Sequence, residues 1–286
     1  AAALDAPAEA PLKDPKDWTL LGRAQPRADL LDKVTGAPLF GIDVELPEML
    51  HATVRMSPRF GARALSVDDV AALRVPGVRK VVPLDTRYGH GFGVIATHTW
   101  AAFKGAEALK IEWEAADYPR TERAQLGMLD AALRTGEGFE WGSRGDARAA
   151  LDAAPAAEVI SADYRVPFLA QTCMEPMNAT ARLTGRRLEI WCGHQAPNLV
   201  GLMVAGAVGV AQEDVEVLVT ALGGGCGRRG EGDAPLYAAL LARETDGRPV
   251  KVTWSREEDT AHGPFRPAAL GRFRAHARPG IGPGAS

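Results

Sequence analysis

One stretch constrains this chain more than any other: Leu222-Gly223-Gly224-Gly225-Cys226-Gly227-Arg228-Arg229-Gly230-Glu231. A β-type run, Val215-Glu216-Val217-Leu218-Val219-Thr220, leads into it, and a helical run over 233–243 follows. Glycine permits positive φ and lets another group approach the main chain with no Cβ in the way. A strand that feeds a glycine-rich turn and then a helix N-terminus collects inward-pointing N–H groups, a cradle for an anion. Arg228 and Arg229 offer charge-assisted donors at the same place. A plain strand-to-helix turn with solvated arginines is the alternative. Five glycines in eight residues exceed what such a turn needs, so the stretch reads as a ligand-binding loop.

Composition narrows the partners. A length of 286 residues suits one large domain or two. The net charge of -3 and the lack of any Lys/Arg run argue against nucleic acid. Cys173, Cys192 and Cys226 are far apart and odd in number, which argues against a disulfide framework, a zinc ribbon or a cysteine-ligated iron–sulfur cluster within the chain. No metal-ligand set of His residues is recognisable, and no apolar run approaches the ~18 residues of a membrane span. No signal peptide is visible. The opening Ala1-Ala2-Ala3 suggests a processed chain or a piece of something longer.

The pattern is α+β throughout. Residues 1–18, rich in Ala and Pro, read as a linker. Residues 19–115 read as a first α/β domain, with strands over 36–44, 49–56, 78–82, 93–96 and 110–114. Its helices are expected at 67–73, capped by Ser66, and from a Thr97 cap through 109. Residues 116–155 form a connecting helical segment, with helices at 121–133 and 146–153. A second α+β region over 156–275 has strands at 158–164, 178–183, 187–192, 215–220 and 249–254, and helices at 197–208 and 233–243. Residues 276–286 read as an irregular tail.

Candidate chemistry can then be weighed motif by motif. Gly225-x-Gly227-x-x-Gly230 fits a dinucleotide fingerprint. However, Arg228-Arg229 inside the turn, the late acid at Glu257 or Glu258, and the mixed short strands all oppose it. Gln171, Glu175 and Asn178 share one irregular loop that offers donors and acceptors to a polar ligand, or merely satisfies its own backbone. Gln195 precedes a helix whose N-terminus its amide can serve, and His194 beside it reads as a packed histidine. Residues 255–259 read as a strand end with charged turn residues, or as a solvated helix start.

Taken in order, several segments resemble one family. They are Asp163-Tyr164-Arg165-Val166-Pro167-Phe168, Met174-Glu175-Pro176-Met177-Asn178-Ala179-Thr180-Ala181, Gln195-Ala196-Pro197, residues 222–229, residues 247–259 and Phe265-Arg266-Pro267-Ala268-Ala269. They resemble the molybdopterin-binding large subunit of the molybdenum hydroxylases, within the xanthine dehydrogenase and aldehyde oxidase superfamily. The isoquinoline 1-oxidoreductase β-subunit type is the most similar branch. Residues 27–36, Gly41-Ile42-Asp43, Pro76-Gly77-Val78 and Thr99-Trp100-Ala101-Ala102 resemble the α/β "hammerhead" domain of that family.

The resemblance implies a hammerhead-type domain followed by the first part of a molybdopterin-binding domain. It implies molybdenum–molybdopterin as the cofactor, only partly held by this chain. Gly224, Gly225, Cys226, Gly227 and Arg228 would form the cofactor loop, with Gln195 in support. Cys226, Gln171 and Glu175 become substrate-pocket candidates. Cys226 stands where a phenylalanine is usual, and Gln171 where a histidine is expected. The family's catalytic glutamate, in a Gly-Glu-Pro-type segment, has no match, so no catalytic residue is expected here.

The activity implied is hydroxylation or dehydrogenation of N-heterocycles or aldehydes. Water would be the oxygen source, and electrons would pass to a separate iron–sulfur subunit. A second chain would complete the cofactor domain. Relatives of this branch are often exported, which favours a periplasmic site. Two alternatives stand beside this: a non-catalytic remnant or scaffold of the same fold, and a nicotinamide-dinucleotide oxidoreductase.

Overall fold

The computed structural model describes residue 9, residues 11–136 and residues 138–276. The tail expected over 276–286 therefore lies outside the described residues, apart from His276. So does much of the linker expected over 1–18. The chain divides into two compact units, Ala1–Leu39 and Phe40–Ser286. In the first, a 3₁₀ turn at Pro15–Asp17 precedes a short helix, α1 (Leu30–Thr35), which ends on Gly36 in the left-handed conformation.

The second unit runs β1 (Leu50–Met56), β2 (Ala64–Asp68), α2 (Val70–Leu73), β3 (Val78–Thr86), β4 (Gly89–Ala96), α3 (Thr99–Ala108), β5 (Lys110–Trp113), α4 (Glu122–Thr135) and α5 (Ala147–Ala153). It continues with β6 (Val159–Val166), β7 (Asn178–Thr184), β8 (Arg187–Cys192), α6 (Pro197–Val208), β9 (Val215–Val219), α7 (Asp233–Ala242), β10 (Val250–Thr253), α8 (Arg256–His262) and β11 (Ala269–His276). Seven strands form one mixed sheet in the order β3-β4-β1-β10-β7-β8-β9.

The sheet crosses the boundary expected between the two α+β regions: β1 pairs in parallel with β10, Leu50 opposite Val250. All four β10 residues are buried, as befits an interior strand covered on both faces. The core runs through the same strands, from Val54 and Ile95 to Leu188, Ile190 and Trp254. Helix α7 lies in this core with nine of its ten residues buried, which explains its apolar residues on every side. Gly93 lets it approach β4: a Cβ there would sit 2.6 Å from Leu241 Cδ2.

Four local expectations are corrected. No strand forms over 36–44. The chain instead makes a 3₁₀ turn, Gly41–Asp43, because the Ile42 N–H goes to the Glu175 carboxylate (3.0 Å) and not to a strand partner. Ser66 and Val67 join β2, where the Ser66 hydroxyl donates to Glu112 (3.0 Å), so the helix starts only after Asp69. His98, not Thr97, caps α3, its Nδ1 accepting from Ala101 N–H. The sequence reading has no strand after Trp254, yet β11 pairs with β6 over eight residues.

That two-stranded ribbon is two-faced. Its register puts Ile160, Ala162, Tyr164 and Val166 on one side, opposite Ala275, Phe273, Gly271 and Ala269. Ile160, Tyr164 and Phe273 are each about 60% exposed, so this apolar face is uncovered. On the polar face, Arg272 pairs with Asp163 (2.9 Å) and reaches Asp130 of α4 (3.2 Å). Among the described residues no helix is long and apolar enough to cross a membrane.

Candidate functional site

The glycine-rich loop leaves β9 and is built from two kinds of backbone position. Gly224 (φ +108°) and Gly227 (φ +88°) need glycine for conformation. Gly223 and Gly225 need it for space. A Cβ on Gly223 would fall inside contact distance of Glu175 Cβ, and one on Gly225 would lie 2.8 Å from Gln195 Oε1. Cys226 adopts φ +52° without being glycine, a conformation that carries strain. Its thiol side is exposed.

The loop is pinned from below. Gly223 N–H donates to Glu175 Oε2 (2.8 Å), and Glu175 N–H donates back to Gly223 O (3.0 Å). Gly227 N–H donates to Gln195 Oε1 (2.9 Å), and Gln195 N–H to Arg229 O (2.8 Å). The Cys173 thiol donates to Gly225 O (3.3 Å). Between the pins, the N–H groups of Gly224, Gly225 and Cys226 have no protein acceptor among the described residues.

The two arginines do not face a ligand as expected. Both are buried. Arg229 donates from Nε to Gly224 O (2.9 Å) and from Nη2 to Glu175 Oε2 (2.8 Å) and Glu175 O (3.0 Å). Arg228 makes a two-pronged pair with Asp233 (2.8 and 2.6 Å) and lies over the Trp254 ring, 5.5 Å from its centroid. Burial opposes the charge on Arg228. Asp233, helped by Asp259, outweighs that and holds the guanidinium above its ordinary range. Burial pushes Asp259 up despite Arg228 and Arg256. The loop thus rests on a salt-bridged floor, and Arg228 is removed from the group of direct anion contacts.

Glu175 is also corrected as a pocket residue. Glu175 is 7% exposed and its carboxylate points inward. Gln171 gives its amide N–H to Pro264 O (3.2 Å). His194 is buried, with Nε2 3.1 Å from Glu231 O and Nδ1 accepting from Ala196 N–H (3.0 Å). At the N-terminus of α7, where the dinucleotide alternative would seat a phosphate, Gly232 N–H goes to the Tyr88 hydroxyl (3.0 Å) and the buried Asp233 carboxylate holds Arg228.

Sequence reasoning missed the contributions of Lys251, Asp233 and Cys173. Lys251 Nζ donates to Ile42 O (2.7 Å) while Glu175 accepts from Ile42 N–H, so the two peptide units that flank Ile42 Cα are each held by a buried side chain. The one signal available was the arginine doublet inside a turn, where small residues are normal. An apolar cavity of about 680 Å³, with Phe60, Tyr88, Tyr118, Phe168, Phe265 and His262 in its wall, is lined by none of residues 220–230 and is a separate feature.

Two predictions arise here. Gly223→Ala should cost about 1–3 kcal/mol by overpacking against Glu175, read as a lower urea midpoint with the slope unchanged. His262 stands 3.3 Å from Glu258, and burial lowers its pKa despite that carboxylate. Its contribution to stability is therefore present above its ordinary 6.5 and is lost as pH falls through the lowered value. Urea midpoints measured between about pH 5 and 8 should fall on the acid side, and His262→Gln should flatten that fall.

The architecture matches solved structures of molybdenum-dependent hydroxylases. The aldehyde oxidoreductase from Desulfovibrio desulfuricans superposes with a TM-score of 0.71 at 19% identity, over 92% of this chain and 34% of that one. The molybdopterin cofactor-binding domain pattern matches residues 134–278, and the chain belongs to that family, the large subunits of the molybdenum hydroxylases. Isoquinoline 1-oxidoreductase subunit beta of Brevundimonas diminuta is 32% identical over 272 residues, 92% of this chain and 34% of that protein. A membrane-bound aldehyde dehydrogenase of Gluconacetobacter polyoxogenes, named for pyrroloquinoline quinone, is 29% identical over 93% of this chain and 35% of its own length. The chain thus spans about a third of the length of these curated relatives.

The family's cofactor is molybdenum–molybdopterin, and the loop fits one edge of such a group. Three adjacent N–H groups without protein acceptors among the described residues would suit an anionic, oxygen-rich partner, and the absence of side chains at Gly224 and Gly225 leaves room for a bulky one.

Proposed function

We propose that this chain supplies the glycine-loop wall of a molybdenum–molybdopterin site in a hydroxylase or dehydrogenase. The substrates proposed are N-heterocycles or aldehydes, with water as the oxygen source and a separate iron–sulfur subunit as electron acceptor. The observation that carries the reading is the run of free N–H groups at Gly224, Gly225 and Cys226, held open by Gln195 and Glu175. When bound, the cofactor supplies the two-electron oxidation of substrate carbon. The chain's own residues bind and orient it: Gly227 is fixed by Gln195, and Cys226 presents a small, polarisable side chain at the mouth. No residue of this chain is proposed as the catalytic base. Further polypeptide is proposed to complete the site and to cover the apolar face of Ile160, Tyr164 and Phe273.

The test is to purify the protein from a host that makes the cofactor, alone and co-expressed with the unmatched two-thirds of the Brevundimonas relative. Molybdenum and pterin are then assayed per chain. Near-equal molybdenum and pterin in either preparation supports the reading. Bound pyrroloquinoline quinone without molybdenum, or neither cofactor in both preparations, sinks it.

A further inference from the structure

Glu175 was expected at a substrate pocket, and the structure places it beneath the loop. Its carboxylate accepts four hydrogen bonds from four different groups. Oε1 takes Ile42 N–H (3.0 Å) and the Asn178 amide (2.9 Å), and Oε2 takes Gly223 N–H (2.8 Å) and Arg229 Nη2 (2.8 Å). These donors come from the Gly41–Asp43 turn, the start of β7, the glycine loop and the arginine under it. Four donors bond the group, the set that a carboxylate satisfies and an amide does not. Its main chain joins in: Glu175 N–H and O bond Gly223 O and Arg229 Nη2, both at 3.0 Å.

The geometry points to Glu175 as the positioning residue of the cofactor loop: its carboxylate fixes Gly223 and Arg229, so that the N–H groups of Gly224, Gly225 and Cys226 stay free of protein acceptors. This rests on the function proposed above for that loop. Arg229 transmits the restraint, because the same side chain that binds Glu175 also holds Gly224 O (2.9 Å). Gln195 pins the far end, at Gly227 and at Arg229 O. Without the carboxylate, the near end keeps no side-chain acceptor for Gly223 N–H, and Arg229 is left buried with fewer partners.

Glu175→Gln tests this. The shape is kept, but one oxygen becomes an NH₂ that meets two donors in either orientation. Hydrogen exchange is followed at Gly223, Gly227 and Arg228, the loop amides that donate to protein acceptors, with molybdenum and pterin content measured in parallel. Val94→Ala, in β4, is the control for general destabilisation. The expected result is roughly tenfold faster exchange confined to these three amides in Glu175→Gln, with a matching loss of bound cofactor, whereas Val94→Ala leaves them in step with the rest of the protein. Exchange unchanged in Glu175→Gln, or raised no more than in Val94→Ala, overturns the assignment. Should Glu175→Gln not fold, Asn178→Ala removes one of the four donors. It should quicken the same amides by a smaller factor, and no change there overturns the assignment too. If the wild-type protein takes up no molybdenum, the function reading fails while the exchange comparison still decides the role of Glu175.

Discussion

Asp233→Ala is expected to destabilise the fold by about 3–5 kcal/mol, since it leaves Arg228 buried without its paired carboxylate. The Arg228–Asp233 pair is two-pronged, at 2.8 and 2.6 Å, and both side chains are 2% exposed. Asp259 cannot replace the partner, as its nearest oxygen is 3.8 Å from Arg228 Nε. Asp233 also stands in the first turn of α7, where a negative charge favours the helix. Urea unfolding reads the loss as a lower midpoint. The double variant Arg228→Met/Asp233→Leu should recover much of it, because a buried pair exchanged whole for apolar side chains is often nearly neutral. A double variant no more stable than Asp233→Ala would show that the cost lies elsewhere than in the orphaned charge.

Trp254→Ala should cost a comparable amount, about 3–5 kcal/mol. The indole is 1% exposed, lies nearly parallel to Tyr237 at 6.0 Å between centroids, and backs the Arg228 guanidinium. The cavity it leaves borders α7 and the floor of the loop together. Its effect should therefore exceed that of Ile190→Val, a core change expected to cost about 0.5–1.5 kcal/mol. Equal midpoints for the two variants would contradict a shared floor.

Most regular elements were legible because their signals are local. The β8 run Arg187–Cys192, the α6 run opening on Pro197 and the α5 run capped by Asp146 follow from patterning and capping residues. The sheet that joins Leu50 to Val250 was not legible, since no local pattern reports a parallel pairing across 200 residues. The site divides in the same way. The glycines and Gln195 announce a loop with a supporting amide. The inward turn of Glu175, Arg228 and Arg229 does not show, because a charged residue at a turn looks the same in sequence whether it meets solvent or a buried counter-ion. Ile42 is the clearest case. Both of its backbone partners, Glu175 and Lys251, lie more than 130 residues away, so a turn was mistaken for a strand.

The central claim is that three specific amides meet the cofactor. Amide NMR of the isotopically labelled protein, titrated with molybdopterin cofactor released from a known molybdenum enzyme, tests it most directly. The account predicts that the Gly224, Gly225 and Cys226 resonances shift together and saturate, with Gly223 and Gly227 moving less because their N–H groups already have protein acceptors. Saturable shifts elsewhere, with these three amides unmoved, would contradict it.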